Sequence, residues 1–411
     1  MPNGQGGRRQ VNKTRFWASF HRLQELGKRE SGAYRVAWTQ EDQEVRQTLL
    51  SHLRSEGLWG YQDGAGNVWG LWTADPDQPY VLMGSHLDSV PGGGDFDGVY
   101  GVAAALEALL SIRETDEQPG LNLAVVAFAD EEGVNYHSGL FGSRAVCGLL
   151  TREDFFGFMN STGSRSLAEA ARAFGVSWES IAALESIRVS AYLELHVEQG
   201  PYLDLNGIPI GVVDVIAGRT QGLAQFAGNQ NHAGTTPMSV RRDALLYAAE
   251  AAIALNRIVG RRDAVGTVGQ LEVRPGAPNV IASSASVSFD VRSPEDSVRN
   301  AVVEEWTGTW QSGNILKLSQ EPAVYLQRSL QDVAVQAAKK RHLRTARMPS
   351  WAVHDAMVMA KKVPTALIFI PSAQGISHAP DERSDPEHCE WGVWVLEDSA
   401  RRLGRMNFAD T

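Results

Sequence analysis

The sequence predicts a two-domain α/β protein in which a sheet domain is interrupted by a smaller α+β insertion. Three observations carry that reading. At 411 residues the chain is longer than one ordinary domain. Its first half alternates helical patterns with short apolar runs, as layered α/β sheets do. Between about Val213 and Leu326 the rhythm changes, and a last apolar run beyond it returns to the earlier pattern. Hydrophobic residues make up 43% of the chain and charged residues 21%, enough for a buried core.

The start, from Met1 to Arg9, is polar and glycine-rich and lacks the apolar stretch of a signal peptide. No later segment is long and apolar enough to span a bilayer, so a cytoplasmic protein with a short disordered start is expected. Only two cysteines occur, Cys147 and Cys389, which gives no disulfide framework and fits a reducing compartment. A formal charge of -10 without a basic tract argues against nucleic-acid binding.

Residues 80–85, 121–129, 191–195 and 365–370 are short, mostly apolar or β-branched, and read as strands. The first three run directly into His86, Asp130-Glu131-Glu132 and His196. The fourth passes through Pro371 into a loop carrying His378. Sites in open α/β sheets form at the carboxyl ends of strands, so these residues are candidate metal ligands. Within Gly84-Ser85-His86-Leu87-Asp88-Ser89-Val90-Pro91-Gly92-Gly93-Gly94-Asp95-Phe96-Asp97-Gly98, a strand-end histidine precedes a carboxylate across a glycine-rich loop. Asp97 opens a helix over 98–110 and has two oxygens with which to bridge two cations. Asp88, on the same side as His86 in extended geometry, could accept the imidazole's other N–H. Of the adjacent Glu131 and Glu132, one can ligate metal while the other moves protons.

In the insertion, residues 241–258 read as a helix, and Val287, Phe289 and Val291 alternate with polar residues as a half-buried strand. Ser293-Pro294-Glu295-Asp296 reads as a helix cap with proline at the first helical position. His232, in Asn231-His232-Ala233-Gly234, suits substrate better than metal. Asn279 and Arg292 share its domain, and a guanidinium suits bidentate carboxylate binding. Gln199 is a polar neighbour of His196.

Together these blocks resemble the amidase/hydantoinase/carbamoylase group of two-metal amidohydrolases. That group includes N-carbamoyl-L-amino acid hydrolases, β-ureidopropionases and allantoate amidohydrolases. The similarity runs from about Arg15 to Trp391. It implies a mixed-sheet, metallo-aminopeptidase-like catalytic domain in two parts, 1–213 and 329–411. It also implies an inserted ferredoxin-like lid and dimerisation domain over 214–328. His86 and His196 would bind the two metals at separate ends, Asp97 would bridge them, and Glu132 and His378 would complete the set. Glu131 would be the general base and Asp88 its orienting partner. His232, Gln199, Asn279 and Arg292 would bind substrate, with His232 lent across a homodimer. Zinc is the expected metal, with manganese, cobalt or nickel as alternatives.

The resemblance implies cleavage of a carbamoyl or related linear amide on an amino-acid-like substrate. N-acyl amino acid or dipeptide hydrolysis on the same scaffold is the alternative, and a non-catalytic dimeric binding protein a more distant one. No dinucleotide fingerprint follows the early strands, which disfavours a redox enzyme. Three departures concern the pocket: Asn135 replaces an arginine, Ala282 replaces a proline, and Ser350-Trp351-Ala352-Val353-His354-Asp355-Ala356 replaces two glycines by Trp351 and Val353. Bulky side chains deny the close backbone approach that glycine allows.

Overall fold

The computed structural model describes residues 11–115, 122–184 and 187–404. The expected disordered start and Leu121 lie outside them. The principal strands are β1 (Trp59–Gln62), β2 (Val68–Trp72), β3 (Tyr80–His86), β4 (Asn122–Phe128), β5 (Val189–Val197), β6 (Ile210–Ile216), β7 (Gly218–Ala227), β8 (Val265–Arg274), β9 (Ser284–Ser293), β10 (Asn314–Glu321) and β11 (Thr365–Ile370). The principal helices are α1 (Lys13–Gln24), α2 (Gln40–Ser55), α3 (Val99–Arg113), α4 (Ala244–Val259), α5 (Asp296–Gly308), α6 (Arg328–Lys340), α7 (Asp355–Met359) and α8 (Pro386–Leu403). Two compact units result. One is the chain to Asp214 with Leu326–Met348 and the chain from His354; the other is Val215–Tyr325 with Pro349–Val353.

The first unit is built on a mixed sheet in the order β6-β11-β5-β3-β4-β2-β1. Its four central strands, β11, β5, β3 and β4, are mutually parallel. Their apolar sequences are buried on both faces, as parallel strands require. Helix α3 shows why: Val99 through Ile112 is buried all round, and its alanine-rich middle lets it lie close between the sheet and helices α1 and α8. Parallel alignment brings four strand C-termini to one edge of the sheet. Register does the rest: Gly84 pairs with Glu194, so two residues on, His86 and His196 leave the sheet side by side.

The second unit follows the order β7-α4-β8-β9-α5-β10. Its four strands form an antiparallel sheet, β8-β9-β7-β10, which is the ferredoxin-like arrangement. Ala285, Val287, Phe289 and Val291 face a core shared with Ala248, Leu255, Val302 and Trp306 of the two helices. The alternation read in this strand is therefore real. The cap before α5 is not as expected. The helix starts at Asp296 with Glu295 as its N-cap and no side-chain cap bond, so Pro294 lies outside it. The Ser293 hydroxyl instead accepts the Glu295 N–H at 3.1 Å.

Candidate metal centre

Asp97 sits, buried, at the middle of a cluster of imidazoles and carboxylates that is open to solvent at His378. Its Oδ1 lies 3.3 Å from His86 Nε2 and 3.1 Å from His196 Nε2, and its Oδ2 lies 3.2 Å from His378 Nε2. Glu132 Oε1 is 3.6 Å from the same His378 nitrogen. The donors fall into two sets that share Asp97: His86, Asp97 and His196, then Asp97, Glu132 and His378. The two strand-end histidines, expected at opposite ends, lie in the same set. They emerge from adjacent parallel strands with ring centroids 5.7 Å apart, and both approach one oxygen.

The sequence builds this locally. Gly98 follows Asp97 with φ +66°, and a Cβ there would sit 2.6 Å from the His86 ring, so only glycine lets α3 begin against it. The His86 Nδ1 faces the Asp88 main-chain carbonyl at 3.0 Å; the Asp88 carboxylate is farther, at 3.8 Å. Thus the backbone, not the Asp88 side chain, orients that imidazole. The carboxylate is used elsewhere: its two oxygens accept the N–H groups of Glu131 and Glu132 at 3.2 and 3.1 Å. An extended reading of residues 86–88 could not see this, because the partners come from the loop that follows another strand.

Electrostatics follow from crowding. Burial works against ionised Asp97, yet hydrogen bonds from His196, His378 and His86 hold its carboxyl well below the usual range. Burial pushes Glu131 well above its ordinary value, with Glu132, Asp355 and Asp88 adding to it against the opposing His86. Burial and Asp97 raise Glu132 to about 8. Glu131 Oε1 and Glu132 Oε1 are buried with no hydrogen bond. Orphaned carboxylate oxygens beside three imidazoles are what a divalent cation would satisfy, and nitrogen and oxygen donors of this kind suit zinc, manganese, cobalt or nickel. Glu131 stands next to the donors without joining either set, its Oε2 3.9 Å from His86 Nε2.

Of the expected substrate groups, Gln199 lies on the cluster itself. Its amide nitrogen is 2.9 Å from Asp97 Oδ2 and 3.3 Å from His378 Nε2. His232, Asn279 and Arg292 belong to the second unit. His232 is exposed, and its Nδ1 accepts the N–H groups of Gly234 and Thr235 at 3.0 and 3.3 Å, which leaves Nε2 as the donor of the neutral ring. Asn279 adjoins it, its carbonyl accepting the Ala233 N–H at 3.0 Å. Arg292 is already engaged: Nε and Nη2 donate to Asp290 at 3.0 and 2.9 Å, and Nη1 to the Trp351 carbonyl at 2.8 Å. Two of its five N–H groups remain for a ligand.

Two residues at the centre had no assigned role in the sequence. Glu194 is buried, accepting the Ser85 hydroxyl at 2.9 Å and the Ala356 N–H at 2.8 Å, and so ties β5 to β3 and α7. A carboxylate amid an apolar strand, two residues before His196, was its signal. The His354 ring packs 4.6 Å from that of His196, and burial pushes its pKa well below the ordinary value. Only the fold brings it there.

The sequence matches peptidase family M20/M25/M40 across residues 82–402. It is 36% identical over 408 residues to an N-carbamoyl-L-amino acid amidohydrolase of Geobacillus stearothermophilus, covering 96% of this chain and 99% of that protein. It is 35% identical over 388 residues to a ureidoglycolate hydrolase of Arabidopsis thaliana, covering 90% and 82%. A solved amidase of the hydantoinase/carbamoylase family from Burkholderia multivorans superposes with a TM-score of 0.85 at 28% identity, covering 97% of this chain and 99% of that one.

Proposed function

Because the chain belongs to peptidase family M20/M25/M40, we propose that it is a metal-dependent amidohydrolase cleaving the ureido C–N bond of an N-carbamoyl amino-acid-like substrate. One observation carries this reading. Four donors from separate strand ends and loops meet around a fifth, Asp97, with an uncommitted buried carboxylate, Glu131, beside them. The relatives act on ureido compounds by name, which selects that bond among amides.

Two divalent cations held by the two donor sets would supply an attacking water acidic enough to lose its proton near neutral pH and would polarise the carbonyl. Glu131 accepts that proton as the water oxygen adds to the ureido carbon. The Nε2–H of His232 donates to the oxygen where charge develops, a contact worth roughly 2.7–4 kcal/mol for a well-placed donor. Glu131 then returns the proton to the leaving nitrogen. The carbamate released breaks down to carbon dioxide and ammonia, leaving the free amine. Arg292, Asn279 and Gln199 hold the substrate carboxylate in this reading, and Asp88 keeps Glu131 and Glu132 in place through their N–H groups.

The second unit also supports a homodimer. Leu246 and Ile253 on α4 are 50% and 53% exposed, and Val265 and Leu271 on the neighbouring edge strand β8 are each 45% exposed. Among the described residues no helix is long and apolar enough to cross a membrane. Both cysteines are free and buried, which fits work in the cytoplasm.

The test is a panel of N-carbamoyl, N-formyl and N-acyl amino acids and dipeptides, offered to the metal-loaded protein. Ammonia and free amine together from the carbamoyl compounds are expected. Turnover confined to acyl or dipeptide substrates, with no ammonia, would overturn the ureido reading.

A further inference from the structure

The turn that presents Glu131 and Glu132 is gripped from a direction that no motif marks. Strand β4 ends at Phe128, and Asp130 then takes a left-handed backbone, φ +53°. Its Oδ2 accepts the indole N–H of Trp38 at 2.7 Å together with the Ser138 hydroxyl, in a fully buried setting. Trp38 is itself left-handed, with φ +65°, a conformation bulky side chains disfavour unless their surroundings impose it.

Those surroundings are plain. The Trp38 N–H donates to Asp42 Oδ2 at 2.9 Å, and Asp42 is held in turn by Arg46 at 2.7 Å. The indole packs edge-on against Phe141 and Phe174, with centroids 5.3 and 5.6 Å away, and the Arg46 guanidinium lies 5.7 Å from it. One residue earlier, the Ala37 carbonyl accepts the Asn135 side-chain amide at 2.8 Å. Residues 37–38 therefore hold the acidic loop at two points, Asp130 before the glutamates and Asn135 after them. Asp88 holds the middle by the two glutamate N–H groups.

We infer that Trp38 is a positioning residue for Glu131, acting through its hydrogen bond to Asp130 and the paired Ala37–Asn135 contact. The inference rests on the proposed role of Glu131 as base. The contacts with Phe141 and Phe174 call for an aromatic ring, but among such residues tryptophan is the one that brings an N–H to Asp130. The N–H is what reaches the strand end, and small displacements of a catalytic group are costly.

Trp38→Phe keeps an aromatic ring at the site and deletes the donor. Asp130→Ala deletes the acceptor from the other side of the same contact. Each variant should lower kcat about tenfold with KM and bound metal unchanged, and the double variant should lose no more than either alone, as expected for one shared contact. Equal kcat in wild type and Trp38→Phe would overturn the inference. So would losses that multiply in the double variant, or a loss matched by a fall in metal content. A wild type inert towards every amide is a different failure, which removes the role of Glu131 itself.

Discussion

Asp97 and Glu131 divide the labour of the centre by geometry rather than by kind. Both are buried carboxylates, but hydrogen bonds from His196, His378 and His86 keep Asp97 ionised against its burial, while Glu131 has no such set and is pushed upward. Replacing Glu131 by Gln should leave metal content at the wild-type level and cut kcat by about 10²–10⁴. Amine release beside elemental analysis checks this, and normal turnover in that variant would remove Glu131 as base. At this scale the sequence was most legible where a residue ends a strand: His86, His196 and the Asp130-Glu131-Glu132 run announce themselves after apolar runs. Contacts across the sheet were not legible. That Asp88 caps two N–H groups of the loop after β4, or that Asp290 occupies one edge of Arg292, depends on neighbours distant in sequence or on side-chain rotamer.

Strands and helices convert the scattered residues into a site. The parallel set β11, β5, β3 and β4 could be anticipated from runs too apolar to have a wet face, and their common C-terminal edge follows from parallel direction alone. Boundaries were harder: α4 starts at Ala244, with Asp243 accepting the Leu245 N–H at 3.0 Å, rather than at Arg241. Helix packing also leaves a pH signature. Asp398 on α8 is bonded to Lys340 of α6 and, at 2.6 Å, to Arg402. Burial opposes ionisation there, but these two cations win and hold the carboxyl below its ordinary value. A depressed folded-state pKa contributes stability above the unfolded value, near 3.9, and loses it as pH falls through the folded one. Asp398→Asn should therefore lower the thermal midpoint at pH 7 and differ progressively less from wild type below about pH 4. A difference that persists undiminished at acid pH would show that packing, not charge, is at work.

On the scale of the whole molecule, a net charge of -10 sits well with a small-molecule hydrolase and poorly with a nucleic-acid binder. The α+β insertion was visible as a change in rhythm, because one strand face is polar and the other apolar; its ferredoxin-like form was implied only by the family resemblance. The attachment of Pro349–Val353 to that unit was not visible, since it depends on long-range return of the chain. If the proposed dimer forms through the exposed apolar side chains of α4 and β8, light scattering should give twice the chain mass for wild type and the single-chain mass for Ile253→Asp; an unchanged mass in the variant would clear that face. The account as a whole stands on cations gathered around Asp97. Protein stripped by chelator and titrated with manganese while ammonia release from an N-carbamoyl amino acid is followed tests it most directly. The account predicts no turnover at the start and a plateau at two equivalents per chain; full activity in the stripped protein, or no response to added metal, would contradict it.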